Sequence, residues 1–328
     1  MKTKIVYVLV SDSTDYYYEQ TLLSATSARM WNPDAEIVII VDNNTNKTLV
    51  ANRTALFDVA NKKVVVDFPE EINKKRRSRF LKISLRKHID GDFLYIDSDT
   101  VICQSLEDVD RLTIEMGAVP DSHNTSKPED IVLQRICLLD CSYREGDFYY
   151  NSGVLYVRDT PKAHVFFDEW YNIYEQSLKK NLDIDQPSLY VCNQRLNLIK
   201  PLEGEFNCQI YTGGLPYLGY AKIIHVFNIY SFNSYFGGSL FTFTDTSYLN
   251  SIKNKSRLDD KDISLLKFAK RQFKEDYRLV YGQNLDYNKS VLFHLFKDNR
   301  KLFHWVEIIG KVFLKITGYF GSVAKVRG

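Results

Sequence analysis

Apolar residues recur along the chain in two rhythms. Short β-branched runs at Ile5–Val10, Ile37–Val41, Val64–Val66 and Phe93–Ile96 predict strands. The stretches between them place apolar residues at helical spacing: Tyr18–Trp31, a helix-like Lys47–Ala60, and Arg76–His88, where Phe80, Ile83 and Leu85 sit among many cations. Gly117–Pro120 and Tyr149–Val157 read as further strands, Ala221–Ile224 as a strand-like run and Lys162–Leu178 as an aromatic-rich helix. Strands alternating with helices predict an α/β fold with a mainly parallel central sheet flanked by helices.

The rhythm changes after about Tyr235. Gly237-Gly238 and the polar tract Lys253–Asp262 precede three helix-like patterns without strand alternation, which sets a boundary between an α/β domain over 1–235 and a helical C-terminal region over 236–328. The last pattern puts Leu302, Val306, Ile309, Phe313, Ile316 and Phe320 on one stripe. Around it Lys297, Arg300, Lys301, Lys311, Lys315, Lys325 and Arg327 face only Asp298 and Glu307 as acids. A basic amphipathic terminus fits either an anionic membrane surface or a helix docked on its own α/β domain.

Composition narrows the class. The 328 residues suffice for a sizeable core, and a net charge of +2 with 26% charged residues gives no footprint for nucleic acid. Five cysteines without a C-x-x-C argue against a disulfide framework or a zinc site. The first apolar run is too short for a signal-peptide core, and no run approaches the roughly 18 apolar residues of a membrane span. The expected location is cytoplasmic, with peripheral attachment to the inner face of the membrane where the basic terminus binds it.

The candidate chemistry starts at Asp97-Ser98-Asp99, directly after the strand Phe93–Ile96. In open parallel sheets ligands sit beyond the C-terminal strand ends, where paired carboxylates can hold a divalent cation. The same D-x-D spacing occurs at Asp90/Asp92, Asp108/Asp110, Asp183/Asp185 and Asp260/Asp262, so only the preceding strand singles this pair out. Turn or helix-capping aspartates are the competing reading. Three more segments carry suitable groups: Ser78-Arg79-Phe80-Leu81, Tyr149-Tyr150-Asn151-Ser152-Gly153-Val154, and Asp185-Gln186 ahead of Pro187. His225 follows the strand-like Ala221–Ile224, and Ser11 to Tyr16 form a polar loop after the first strand.

In this order the blocks resemble the retaining family-eight glycosyltransferases of the GT-A fold, which include glycogenin and bacterial lipopolysaccharide galactosyltransferases and glucosyltransferases. The resemblance covers about residues 4 to 228. It implies a Rossmann-like GT-A domain that moves a hexose from a UDP-sugar, UDP-galactose or UDP-glucose, to a saccharide or lipid-linked saccharide acceptor in surface-glycan synthesis. It assigns Asp97, Asp99 and His225 to the metal, a mixed oxygen and nitrogen set that suits manganese better than magnesium. It assigns Arg79, Ser98, Asn151, Ser152 and Asp185 to the donor, with Asp185, Gln186 and Asn151 as the catalytic candidates. Ser11, Asp12 and Tyr16 are the candidates for the nucleoside, with Asp15-Tyr16 an equal alternative register. After His225 the chain reads HVFNIYSFNSYFGG, without the lysine the family commonly places there to grip the diphosphate. Gly237 and Gly238, or Arg79 with the metal, could serve instead. A relative that binds nucleotide-sugar without turnover is the alternative reading; a nucleotidyltransferase lacks support, since no Gly-rich phosphate loop follows the first strand.

Overall fold

A computed structural model describes residues 1–210, 212–226, 241–273, 291, 295 and 298–316. The chain divides into two compact units, Met1–Lys274 and Glu275–Gly328. Among the described residues of the first lie ten strands: β1 (Lys4–Leu9), β2 (Ile37–Asp42), β3 (Lys62–Val66), β4 (Phe93–Ile96), β5 (Thr100–Ile102), β6 (Met116–Pro120), β7 (Tyr150–Val157), β8 (Ile199–Pro201), β9 (Cys208–Gln209) and β10 (Ile223–His225). Seven of them form the central sheet in the order β3-β2-β1-β4-β7-β6-β8. All neighbours run parallel except β7, which opposes both β4 and β6. The fold is thus α/β with a mainly parallel sheet, and β7 is the reversal that the sequence pattern did not reveal.

Continuous apolar runs give strands covered on both faces; every residue of β2 and β7 is buried. The covering helices are α1 (Tyr17–Trp31), α2 (Asn43–Thr48), α3 (Leu56–Val59), α4 (Lys74–Ile83), α5 (Asp130–Cys137), α6 (Pro161–Lys179) and α7 (Asp185–Leu196). On α6, Phe166, Phe167, Trp170, Ile173 and Tyr174 repeat at helical spacing and are all buried. Truncating such a fully buried aromatic costs about 3–5 kcal/mol.

Two expected helices are shorter than their patterns. The stretch Lys47–Ala60 breaks into α2, a 3-10 turn Ala51–Arg53 and α3. Asp42 caps α2 by accepting from Thr45 N, and Ala51 takes a positive φ of 49° that no helix continues through. Helix α4 stops at Ile83, where the Ser84 hydroxyl donates to Phe80 O at 2.7 Å, and a separate 3-10 turn carries Leu85–Lys87.

The first unit runs past the composition shift at 235. Helices α8 (Thr246–Lys255) and α9 (Asp260–Lys267) pack against α1. Buried on all sides, α1 shows no apolar stripe: Ser24 Oγ lies 3.0 Å from Tyr7 OH and 2.7 Å from Thr100 Oγ1, and Ser27 Oγ accepts from Ile102 N. In the second unit, α10 (Arg300–Ile316) carries the expected amphipathic pattern, with Leu302, Trp305 and Ile309 exposed. Phe320 lies outside the described residues. None of the described helices is long and apolar enough to cross a membrane.

Candidate functional site

Strand β4 ends at Ile96, and Asp97 is fixed there by its N–H donating to Gly153 O of β7 at 2.7 Å. The chain then turns into β5, which leaves the central sheet and pairs antiparallel with β10 in the order β5-β10-β9. This register sets His225 opposite Thr100 and brings the imidazole to the two carboxylates. His225 Nε2 lies 3.3 Å from Asp99 Oδ1 and 4.0 Å from Asp97 Oδ2, and one ligand atom from each residue falls within 4.8 Å of the others.

A chain of hydrogen bonds decides which way the imidazole is turned. Gly153 N can only donate, so the Asn151 atom 2.9 Å away is its oxygen. That oxygen also accepts from Asn207 Nδ2 at 2.9 Å, which leaves Asn207 Oδ1 facing His225 Nδ1 at 2.9 Å. Nδ1 therefore carries a proton, and Nε2 is the nitrogen that faces the carboxylates and through which the ring would ligate a cation. Two carboxylates and one imidazole so arranged fit a divalent transition cation. Gly153 is sterically required here: a Cβ would stand 2.2 Å from His225 Cε1 and 2.7 Å from Asp97 Oδ2.

The cluster opens into a cleft of ≈ 410 Å³ whose opposite wall is α4. Lys74, Lys75, Ser78, Arg79 and Lys82 line it, facing Asp97, Ser98, Asp99, Asn151, Ser152, Asp185 and Gln186. Buried Lys82 reaches Asp97 Oδ1 at 3.2 Å, Ser152 Oγ at 3.3 Å and Asp185 Oδ2 at 3.5 Å. Arg79 Nε lies 3.5 Å from Asp185 Oδ1, and the Ser152 hydroxyl donates to Asp185 Oδ2 at 2.8 Å. Burial works to raise the Asp185 pKa, but Lys82, then Arg79, outweigh it and hold the group below the ordinary carboxylate value. Asp185 is the first residue of α7 and Ile184 holds the cap position, so the carboxylate is turned to the cleft rather than spent on capping. Gln186 Nε2 donates to Tyr150 O at 3.3 Å, and Asn151 Nδ2 to Asp121 Oδ1 at 2.8 Å.

The loop after β1 lies apart from this wall. Val8, Val10 and Tyr17 line the cleft, whereas Ser11, Asp12 and Tyr16 do not. Ser11 is buried beneath Arg53 and Asp15, at 2.6 Å from each partner atom. Asp12 and Asp15 share Lys74 Nζ at 2.7 and 2.6 Å, and the Lys74 hydrogen bond pulls the Asp12 pKa well down. Tyr16 OH donates to Asn250 Oδ1 of α8, and Lys253 Nζ donates to Ser13 O and Asp15 O.

Sequence reasoning singled out Arg79 on α4 and missed Lys82, which touches more of the site. The signal was the spacing Lys75, Arg79, Lys82, one face of a helix. Asn207 carried no signal, because its role arises from a register between distant strands. Gly237 and Gly238 lie outside the described residues.

No family profile and no curated protein sequence matches the chain. Among solved structures it is similar to mouse xyloside xylosyltransferase 1, at 11% identity and a TM-score of 0.47 over 70% of this chain and 98% of that one. It is similar to the galactosyltransferase LgtC in complex with donor and acceptor sugar analogues, at 16% identity and 0.48 over 80% and 99%. A third likeness is to the bifunctional glycosyltransferase WbbM, at 16% identity and 0.49 over 81% and 51%.

Proposed function

We propose that the chain is a metal-dependent retaining glycosyltransferase that moves a hexose from a UDP-sugar, UDP-galactose or UDP-glucose, to a saccharide acceptor. The observation that carries this reading is His225 Nε2 converging with Asp97 and Asp99 at a strand edge, across a cleft from a cationic helix face. The ordered sequence blocks add to it. A bound cation, manganese on this donor set, would offset charge gathering on the departing nucleoside diphosphate.

The chain's own groups take the rest. Lys82 and Arg79 supply fixed positive charge beside the leaving group, and Lys82 neutralises Asp97 and Asp185 while the cleft is free of ligand. Asp185, kept ionised by those two cations, accepts hydrogen bonds from donor-sugar hydroxyls. Asn151 spends its oxygen on Gly153 and Asn207, so it offers the sugar only an amide N–H. Gln186, anchored to Tyr150 O, stands on the same wall for the transition state. The basic, amphipathic α10 supports association with an anionic membrane surface, where a lipid-linked acceptor of surface-glycan synthesis is found.

The test is thermal stabilisation by nucleoside diphosphates with and without manganese, on the full chain and on the Asp97→Asn/Asp99→Asn variant. A ligand at 100 times its Kd stabilises by about 2.7 kcal/mol. We expect a UDP-dependent rise in Tm that needs manganese and disappears in the variant. No shift with any nucleotide would remove the reading.

A further inference from the structure

Asp97 and Asp99 are secured very differently. Asp97 accepts from Tyr95 OH and from Lys82. Among the described residues the Asp99 carboxylate has no hydrogen bond from a serine, threonine, tyrosine, lysine, arginine, amide or backbone donor; its one close neighbour is His225 Nε2, at 3.3 Å. A carboxylate meant to hold a cation in a fixed direction is ordinarily hydrogen-bonded on its far side.

Beside Asp99 lies a second, much smaller cavity. It holds ≈ 10 Å³ and is lined by Gln20, Ser98, Asp99, Thr100 and Thr244, with apolar neighbours. Ser98 and Asp99 line both this cavity and the main cleft. Gln20, near the start of α1, is 4% exposed, and among the described residues neither its Oε1 nor its Nε2 has a hydrogen-bond partner. A buried amide with both ends idle is rare in folded proteins, and a cavity of about 10–15 Å³ is the size that admits one water. A bare cation suits the space poorly, since Nε2 presents a donor to it. Water alone can both accept from an amide nitrogen and donate to a carboxylate.

We infer that Gln20 holds an ordered water behind Asp99 and, through it, positions the Asp99 carboxylate for the cation. Gln20 is thus a positioning residue, three residues along the same helix from Tyr17 of the cleft wall. The metal part of this inference rests on the proposed function; the water does not.

The experiment compares wild type with Gln20→Met, which keeps the length of the side chain and removes both polar atoms. Manganese affinity is titrated by the paramagnetic signal of the free ion, Tm is recorded alongside, and the wild-type crystal structure is examined for the water. The expected result is a manganese Kd raised by about 10- to 100-fold in Gln20→Met, as for other outer-shell partners of metal ligands. Density for a water between Gln20 and Asp99 should accompany it. An unchanged Kd with a raised Tm would overturn the inference, because it would mean that an idle amide had been replaced by good packing. If wild type binds no manganese, the proposed function falls, and the inference is judged on the crystal: density for the water upholds its structural half, and a dry cavity overturns it.

Discussion

The wall of the cleft that carries the carboxylates and the loop after β1 are held by different forces. Around His225 the fixing groups are buried and uncharged: Asn207 and Asn151 are 0% and 3% exposed, and each amide is tied to the next and to the Gly153 backbone. Around Asp12 and Asp15 the fixing groups are the tips of Lys74 and Lys253, long side chains reaching from α4 and α8. The first arrangement fixes directions, which is what ligation by an imidazole and two carboxylates would require. The second sets a position that can be renegotiated when a charged ligand arrives, because Lys74 also lines the cleft.

The two walls meet at Lys82, where the largest effect is expected. Its ammonium is buried between Asp97 and Asp185, and removing one partner of such a cluster leaves uncompensated buried charge, at a cost of about 3–5 kcal/mol. Lys82→Met should lose stability on that scale in urea unfolding at pH 7. It should also change the acid limb. In wild type the depressed Asp185 pKa contributes stability that is present above its unfolded value and lost as pH falls through its lower folded value. Without Lys82, burial is opposed only by Arg79 and by hydrogen bonds from Ser152 and the Asp185 backbone, the folded pKa rises, and acid unfolding starts at higher pH. An acid midpoint unchanged from wild type would show that Lys82 does not hold Asp185 ionised.

Gly153→Ala comes next. The new methyl meets His225, Asp97 and Asn151 at 2.2, 2.7 and 2.9 Å; His225 and Asn151 cannot retreat without breaking the amide chain, nor Asp97 without disturbing its contacts to Tyr95 and Lys82. Overpacking of this kind costs about 1–3 kcal/mol. We expect a loss in that range, together with disappearance of manganese-dependent stabilisation by UDP. A variant that keeps full manganese binding would mean that this wall is as yielding as the loop.

Legibility in the sequence follows the same division. The strands and their C-terminal edge were readable because apolar runs at β1, β2 and β4 are local patterns, and Asp97 and Asp99 are one step beyond such a run. His225 could be placed only through the order of the blocks, and Asn207 not at all: its position depends on β10 lying between β5 and β9, a long-range pairing. Lys82 was hidden by its neighbours, since a cluster of six Lys and Arg residues between 74 and 82 looks like a solvated face until a partner surface selects one side. The partners of the loop residues Ser11, Asp12 and Tyr16, namely Arg53, Lys74 and Asn250, come from distant parts of the chain and left no local pattern. Helices α8 and α9 looked like part of a separate region because helix patterns alone do not say which surface they cover.

The smallest effect is expected at Lys74, and salt distinguishes it from Lys82. The Lys74 and Asp12 side chains are 34% and 41% exposed, and pairs this open contribute about 0–1 kcal/mol. Lys74→Met should therefore change stability by less than about 1 kcal/mol. That difference should vanish between about 0.01 M and 1 M salt, as the screening length falls from about 30 to about 3 Å. The Lys82→Met deficit should persist across the same range, because its partners are shielded by protein rather than by ions. UDP affinity supplies a second axis: weaker binding in Lys74→Met at low salt, converging on wild type at high salt, is what an adjustable loop anchor produces. A Lys74→Met deficit as large and salt-independent as that of Lys82 would make the loop a second rigid wall and erase the distinction.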